Sequence, residues 1–336
     1  MLIYTCKLRF FVRFRLVLAS SVTLFRGSLT HQGVLLYMFS FFRSWRERGW
    51  SSISAEDYSA AWHRWGGSVA THPEFISRLS ELSSIPVAYL GWLVDGELQA
   101  AIAVWGRHLA LSKSGLKQHN KRRFFDLGNA EVIIPQAAGS QVSVRHQVRY
   151  VSELNHGRIS TLKQQQEGLA LARKPEDYSK KFRYNQRREL RLLEEQGGKI
   201  LPFTELSSAE QAAMYIDLFE KRWDFAAPGK EHLAEVLEQL RPFVTGSFIC
   251  IDELPAAAQI LYRVESPEWI SVEYINGGVD PQFNAHSPGS VLSFVNTQAE
   301  WAYAREQNKP LRYSFGRADR EYKDRWCNTV PVYEVR

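Results

Sequence analysis

Residues 270–326 read ISVEYINGGVDPQFNAHSPGSVLSFVNTQAEWAYAREQNKPLRYSFGRADREYKDRW, and their order of patterns decides the fold. The β-rich run Ile270–Ile275 predicts a strand, and Gly277-Gly278-Val279-Asp280 a turn beyond it. Ser287 stands at a helix N-cap, Pro288 at the first helical position, and Gly289 leaves the turn without a side chain. Val291, Leu292, Val295, Ala299 and Ala302 carry a helix toward Asn308, and a second strand and helix follow. A helix that opens in small residues just after a strand presents backbone N–H groups and the positive end of its dipole, which suits a phosphate or carboxylate. Most such helix starts bind nothing, so the pattern alone leaves both readings open.

Working outward, the chain repeats one plan. Ser54-Ala-Glu-Asp57 has capping-box spacing and opens a helix through Tyr58, Ala61, Trp62 and Trp65; a second helix is expected over 73–82. Two apolar runs, 87–94 and 98–105, joined by Asp95-Gly96, predict a hairpin. Residues 107–123 are basic and loop-like, and a strand is expected at 132–134. Ser207-Ser-Ala-Glu210 opens the second copy of the plan, with helices to Trp223 and over 232–240, then strands at 247–251, 257–264 and 270–275. Helix, helix, hairpin thus occurs twice, an internal duplication of architecture. The class is α/β (α+β), with mixed central sheets flanked by helices.

Composition narrows the function. The 336 residues are 45% hydrophobic, 23% charged and 13% aromatic, with ten Trp, as in an ordinary globular protein. The net charge of +6 is concentrated in residues 1–50, which hold eight Lys or Arg and one acid, Glu47. The remaining body is near neutral, which argues against a general nucleic-acid binder. Three scattered cysteines and no CxxC or His cluster exclude a disulfide framework and a zinc site, so no metal is expected. Residues 1–37, basic up to Arg15 and then apolar from Leu16 to Phe25, resemble a secretory signal; they also read as a gene-model extension or a disordered basic leader, with translation starting at Met38, the reading favoured here. Phe39, Phe41, Phe42, Trp45 and Trp50, interleaved with Arg43, Arg46 and Arg48, suit either an anionic membrane interface or a first helix packed on the body. No run reaches the ~20 apolar residues of a spanning helix.

A basic helix over 177–196 places Lys180, Lys181, Arg183, Arg187 and Arg188 opposite Tyr178, Phe182, Leu190 and Leu193. It can be a solvated face, a contact to membrane or lipid phosphate, or, less favoured, a nucleic-acid contact.

The segments EYINGGVDPQF, HSPGSVLSFVNTQ and YSFGRADREYKDRW together resemble the antimicrobial-peptide-resistance family of the macrophage-induced gene fourteen (Mig-fourteen), within the FemAB-like and acetyltransferase-like (GNAT) superfamily. The resemblance spans about residue 38 to the C-terminus. It implies tandem GNAT-like domains, at 38–170 and at 171–336, the latter including the basic helix. It also implies a peripheral protein at the cytoplasmic face of the inner membrane of Gram-negative bacteria, protecting against cationic peptides such as polymyxin. Partners would be anionic lipid, the peptides themselves or an envelope acceptor. Acyl or aminoacyl transfer would use acyl-CoA or aminoacyl-tRNA. Glu273 and Asn276 stand where superfamily enzymes place catalytic groups, and Ser287, Gly289, Ser290, Arg317 and Lys323 where the donor's anion is received. The signature Arg/Gln-x-x-Gly-x-Gly/Ala is absent. On residue type alone, Glu273 reads as an exposed strand carboxylate, and Arg317 and Lys323 read as members of a surface ion network. The other reading of the chain is a non-enzymatic peptide-, lipid- or nucleic-acid-binding regulator on a transferase scaffold, which would have the cleft filled by Trp or Phe.

Overall fold

A computed structural model describes residues 43–336. The basic leader at 1–37, the start at Met38 and the rings of Phe39, Phe41 and Phe42 lie outside the described residues. Local sequence signals become elements where a cap or turn residue enforces them. Ser54 and Asp57 close a reciprocal capping box at the start of α1 (Ala55–Trp65), and α2 (Pro73–Ser83) opens on Pro73. Strand β1 (Trp50–Ser52) pairs with β2 (Ala88–Val94), β2 with β3 (Glu97–Trp105) across the Asp95-Gly96 turn, and β3 with β4 (His108–Leu109); every pairing is antiparallel.

The stretch 107–123 is not the loop its charge suggested. Ser112 accepts from Gly115 N at 3.1 Å and caps a short helix, α3 (Lys113–Gln118). The strand expected at 132–134 reduces to a single bridge between Val132 and Val151.

The large sheet has nine strands. Its order is β5 (Val148–Ser152), β13 (Cys327–Val335), β6 (Lys163–Ala172), β12 (Leu311–Arg317), β11 (Ile270–Val279), β10 (Leu254–Glu265), β9 (Ser247–Ile251) and β7 (Lys199–Pro202), with β8 (Val244–Thr245) also on β10. It draws strands from both sides of residue 170. One face, with Ile260, Tyr262 and Val264, packs on α1, α2, α5 (Ser208–Trp223) and α6 (Leu233–Gln239). The other, with Leu261, Val272 and Tyr313, packs under α7 (Pro288–Glu306) and α4 (Lys180–Glu195). Alternating side chains of β10 thus serve two cores, the expected consequence of a strand covered on both faces.

One pairing positions the site. β11 and β12 run parallel in register from Ile270–Leu311 to Glu273–Ser314, where the ladder stops, although β11 continues to Val279 and β12 to Arg317. β11 also runs straight through the glycines expected to form a turn. A Cβ at Gly278 would lie 2.5 Å from Leu218 Cβ, so glycine is what lets α5 seat against the strand. The opening between β11 and β12 is bordered by a segment from the N-terminal half. Gly128 lies against Ile275 and Asn129 against Gly316, and Glu131 N donates to Glu273 Oε1 at 2.7 Å.

Candidate functional site

Ligands of open α/β sheets gather at the carboxyl ends of parallel strands. There the chain forms a hollow of about 450 Å³, floored by β10 and β11 and walled by the start of α7, by Arg222 of α5, and by Tyr322, Arg325 and Trp326. The hollow is open rather than plugged, although Trp326 and the two tyrosines, Tyr274 and Tyr322, contribute to its walls.

At its edge Ser287 lies in the left-handed region at φ 49° and makes no side-chain cap bond, contrary to its expected role. Its carbonyl instead accepts from Ser290 N at 2.9 Å and Val291 N at 3.1 Å. Pro288 has no N–H, so the first turn offers chiefly the Gly289 amide. Gly289 has a packing reason: a Cβ there would stand 3.0 Å from Val279 Cγ2. Ser290 Oγ donates to Gln186 Oε1 at 3.2 Å, tying the inner face of the basic helix to the rim. Beneath, Gln259 Nε2 donates to Ser293 Oγ at 2.9 Å and Asn296 Nδ2 to Gln259 Oε1 at 2.8 Å, which orders the polar side of α7 against β10.

The electrostatics have one sign. Arg222 and Arg325 line the hollow and no carboxylate or imidazole does. Arg222 Nη1 donates to Gly277 O at 3.2 Å, which holds the guanidinium at the strand end. Burial raises the Tyr274 and Tyr322 phenols above their ordinary range, so both keep their protons at neutral pH.

The residues singled out from sequence fall in four places. Ser287, Gly289 and Ser290 line the hollow. Asn276 faces a small separate cavity beside Asp126 and Tyr215, and its Oδ1 accepts from Gly277 N at 2.9 Å. Arg317 and Lys323 do not face the helix start: Arg317 pairs with Glu167 at 3.0 Å and with Asp319, and Lys323 Nζ donates to Arg317 O at 2.7 Å. The cations expected from them are supplied by Arg222 and Arg325. Glu273 is not an exposed strand carboxylate but is 1% exposed, with a pKa driven well above the usual range by burial and then by the neighbouring Glu131. Beside it, Arg312 binds both carboxylate oxygens of Glu131 and reaches Glu153 Oε1 at 3.0 Å. That cluster joins the N-terminal half to β11 and β12; none of its members lines the hollow.

Sequence reasoning missed Arg222 and the place of Arg325. Arg222 sits in the last turn of α5, where a basic residue ordinarily complements the helix dipole. Arg325 was visible only as one charge in a dense run.

The turn does not fit the pyrophosphate of coenzyme A. An anion cradle needs several successive free N–H groups, and here proline removes one and Ser287 O takes two. An anionic group would be held by guanidinium side chains.

The mixed sheet, its diverging parallel pair and the hollow beside it make up a FemAB-like, acetyltransferase-like (GNAT-like) fold. The crystal structure of FemX shares the fold at TM-score 0.50, with 10% identity over 85% of this chain and 96% of that one. The family model of Mig-14 matches residues 72–335, and the chain belongs to the Mig-14 family. Also similar are the C-terminal domain of a putative lysylphosphatidylglycerol synthetase from Agrobacterium fabrum (TM-score 0.46, 11% identity, 83% of this chain and 90% of that one) and a tandem GNAT protein from the clavulanic acid biosynthesis pathway (TM-score 0.41, 8% identity, 85% and 97%). No curated protein sequence matches the chain. Among the described residues no helix is long and apolar enough to cross a membrane.

Proposed function

We propose that the chain moves an acyl or aminoacyl group from an anionic carrier to an amine or hydroxyl of an envelope component, and that this protects the cell against cationic antimicrobial peptides. The observation that carries the reading is the hollow lined by Arg222 and Arg325 without any carboxylate. Two guanidiniums, that of Arg222 held on Gly277 O and that of Arg325 exposed at the rim, hold a carrier's anionic group and orient its acyl bond, the entropic part of catalysis. In the transfer, the bond from carbonyl carbon to the carrier's oxygen or sulfur breaks, and a bond from that carbon to the acceptor's nitrogen or oxygen forms. The proton that the acceptor gives up balances the one the leaving atom takes, and Tyr274 and Tyr322, whose phenols stay protonated, line the hollow as hydrogen-bond donors to the charge that develops in the transfer.

The basic helix supports a place at an anionic membrane surface. Lys180, Lys181, Arg187 and Arg188 are exposed, Arg183 is half-buried, and Tyr184 projects among them. Each such cation near an anionic bilayer adds ~1 kcal/mol. The test is survival under polymyxin of strains carrying Arg222→Ala, Arg325→Ala or both, with protein level and folding checked. Loss of protection in the double variant at normal protein level supports transfer at this hollow; full protection in it sinks the reading.

A further inference from the structure

A second hollow, of about 290 Å³, lies where α1 ends and β10 turns into β11, and it shares no lining residue with the one at Ser287. Two indoles form its walls. Trp65 is the last residue of α1, and Trp269 is locked by its ring N–H, which donates to Gly67 O at 2.8 Å. Gly66 permits that placement, because a Cβ there would stand 2.9 Å from the Trp269 ring. Ile134 and Leu154 add apolar surface, and Asn155 holds their two segments together with paired bonds to the Ile134 backbone at 2.9 and 3.0 Å.

The charged groups around this slot reach it from its solvent side: Arg64 and Glu268 are exposed, Arg158 is half-buried, and the Arg64 guanidinium lies 5.6 Å from the Trp65 ring centroid. Arg64, Arg158 and Glu268 all line it, yet none of the three has an ion-pair partner among the described residues. Charges of opposite sign that border one hollow without meeting leave room between them for a ligand's own charges. Gln136 adds a fourth group. Its amide nitrogen donates to Ser140 O and to Arg158 O, both at 3.1 Å, which fixes which end of the amide is oxygen. That oxygen is buried and has no partner, a state that ordinarily costs about 1–3 kcal/mol.

We propose that this hollow binds a free α-amino acid with an apolar side chain. The carboxylate meets Arg64 and Arg158, the ammonium meets Glu268, and the side chain lies between Trp65 and Trp269. The size suits one small molecule, just below the roughly 300–1,000 Å³ of drug-sized ligand sites.

Titration of the full chain with L-leucine and L-phenylalanine, read by tryptophan fluorescence and by calorimetry, tests this. Saturable binding is expected. N-acetyl-leucine, which lacks the ammonium, and 3-methylbutylamine, which lacks the carboxylate, are each expected to bind about tenfold more weakly, the loss from one hydrogen-bonded charged contact. The Arg64→Ala/Arg158→Ala double variant is expected to lose binding by a similar factor with an unchanged melting temperature, and E268Q to weaken leucine but not N-acetyl-leucine. Absence of saturable binding by any amino acid at millimolar concentration overturns the proposal. So does equal binding of leucine and N-acetyl-leucine, which would reveal a site for anions alone, or undiminished binding by the double variant.

Discussion

Replacing Arg312 with Met is the most discriminating perturbation of the scaffold. Arg312 is 13% exposed at its side chain and Glu131 fully buried, and the guanidinium grips both oxygens of that carboxylate. Without it Glu131 is left charged in the interior, beside Glu273, at a cost of about 3–5 kcal/mol. For a folded body of this size that corresponds to roughly 5–8 °C in melting temperature. The reverse change, Glu131→Met, should cost less, because Arg312 keeps Glu153 at 3.0 Å and Ser152 Oγ at 3.2 Å. The double variant, with neither charge present, should lie closer to wild type than R312M does. Urea unfolding followed by tryptophan fluorescence, arranged as a double-mutant cycle, measures all three. A loss under about 1 kcal/mol in R312M, or a double variant as unstable as R312M, would refute the view that this cluster fastens the two halves by a buried charge pair.

Two further expectations concern pH. Glu273 has its folded pKa raised above the ordinary 4.5, so the native state holds this proton more tightly than the unfolded chain and its contribution falls as pH climbs through the raised value. Glu273→Gln, neutral throughout, should therefore gain on wild type as pH rises above 4.5; parallel stability curves from pH 5 to 9 would contradict this. His146 is fully buried with neither ring nitrogen partnered, and burial, then the charge of Arg46, lowers its pKa to about 3. Its neutral form is native, so stability is expected to fall as pH drops from 6.5 toward 3, by up to about 5 kcal/mol for the full shift. His146→Leu should lessen that acid loss, and an unaltered acid limb would show that other groups govern it.

The elements legible in the sequence were those fixed by neighbouring residues. Ser54 with Asp57 and Ser207 with Glu210 close capping boxes, and Asp95-Gly96 turns a hairpin, because the interacting groups lie within a few positions. The site was legible only as a place. Ser287, Gly289 and Ser290 do border the hollow, but the cations beside them come from Arg222 at the end of α5 and Arg325 in a separate turn, and nothing local distinguishes these from solvated arginines. Glu273 shows the same limit. Its strand alternation allowed either face, and the partners that bury it, Glu131 and Arg312, lie 142 and 39 positions away. Long-range charge pairing leaves no periodic trace. Most of the basic helix was readable, since its apolar stripe with Leu190 and Leu193 is local and packs on α7, but it opens at Lys180 behind the Ser179 cap, so Tyr178, expected on its apolar face, stands before it.

Mass spectrometry of lipids and envelope polymers from cells with the gene, without it, and with Arg222→Ala/Arg325→Ala most directly probes whether the guanidinium-lined hollow performs a transfer. An acyl- or aminoacyl-shifted species present with the intact gene and missing from the other two is the expected result. Identical spectra from all three would leave the hollow without a reaction.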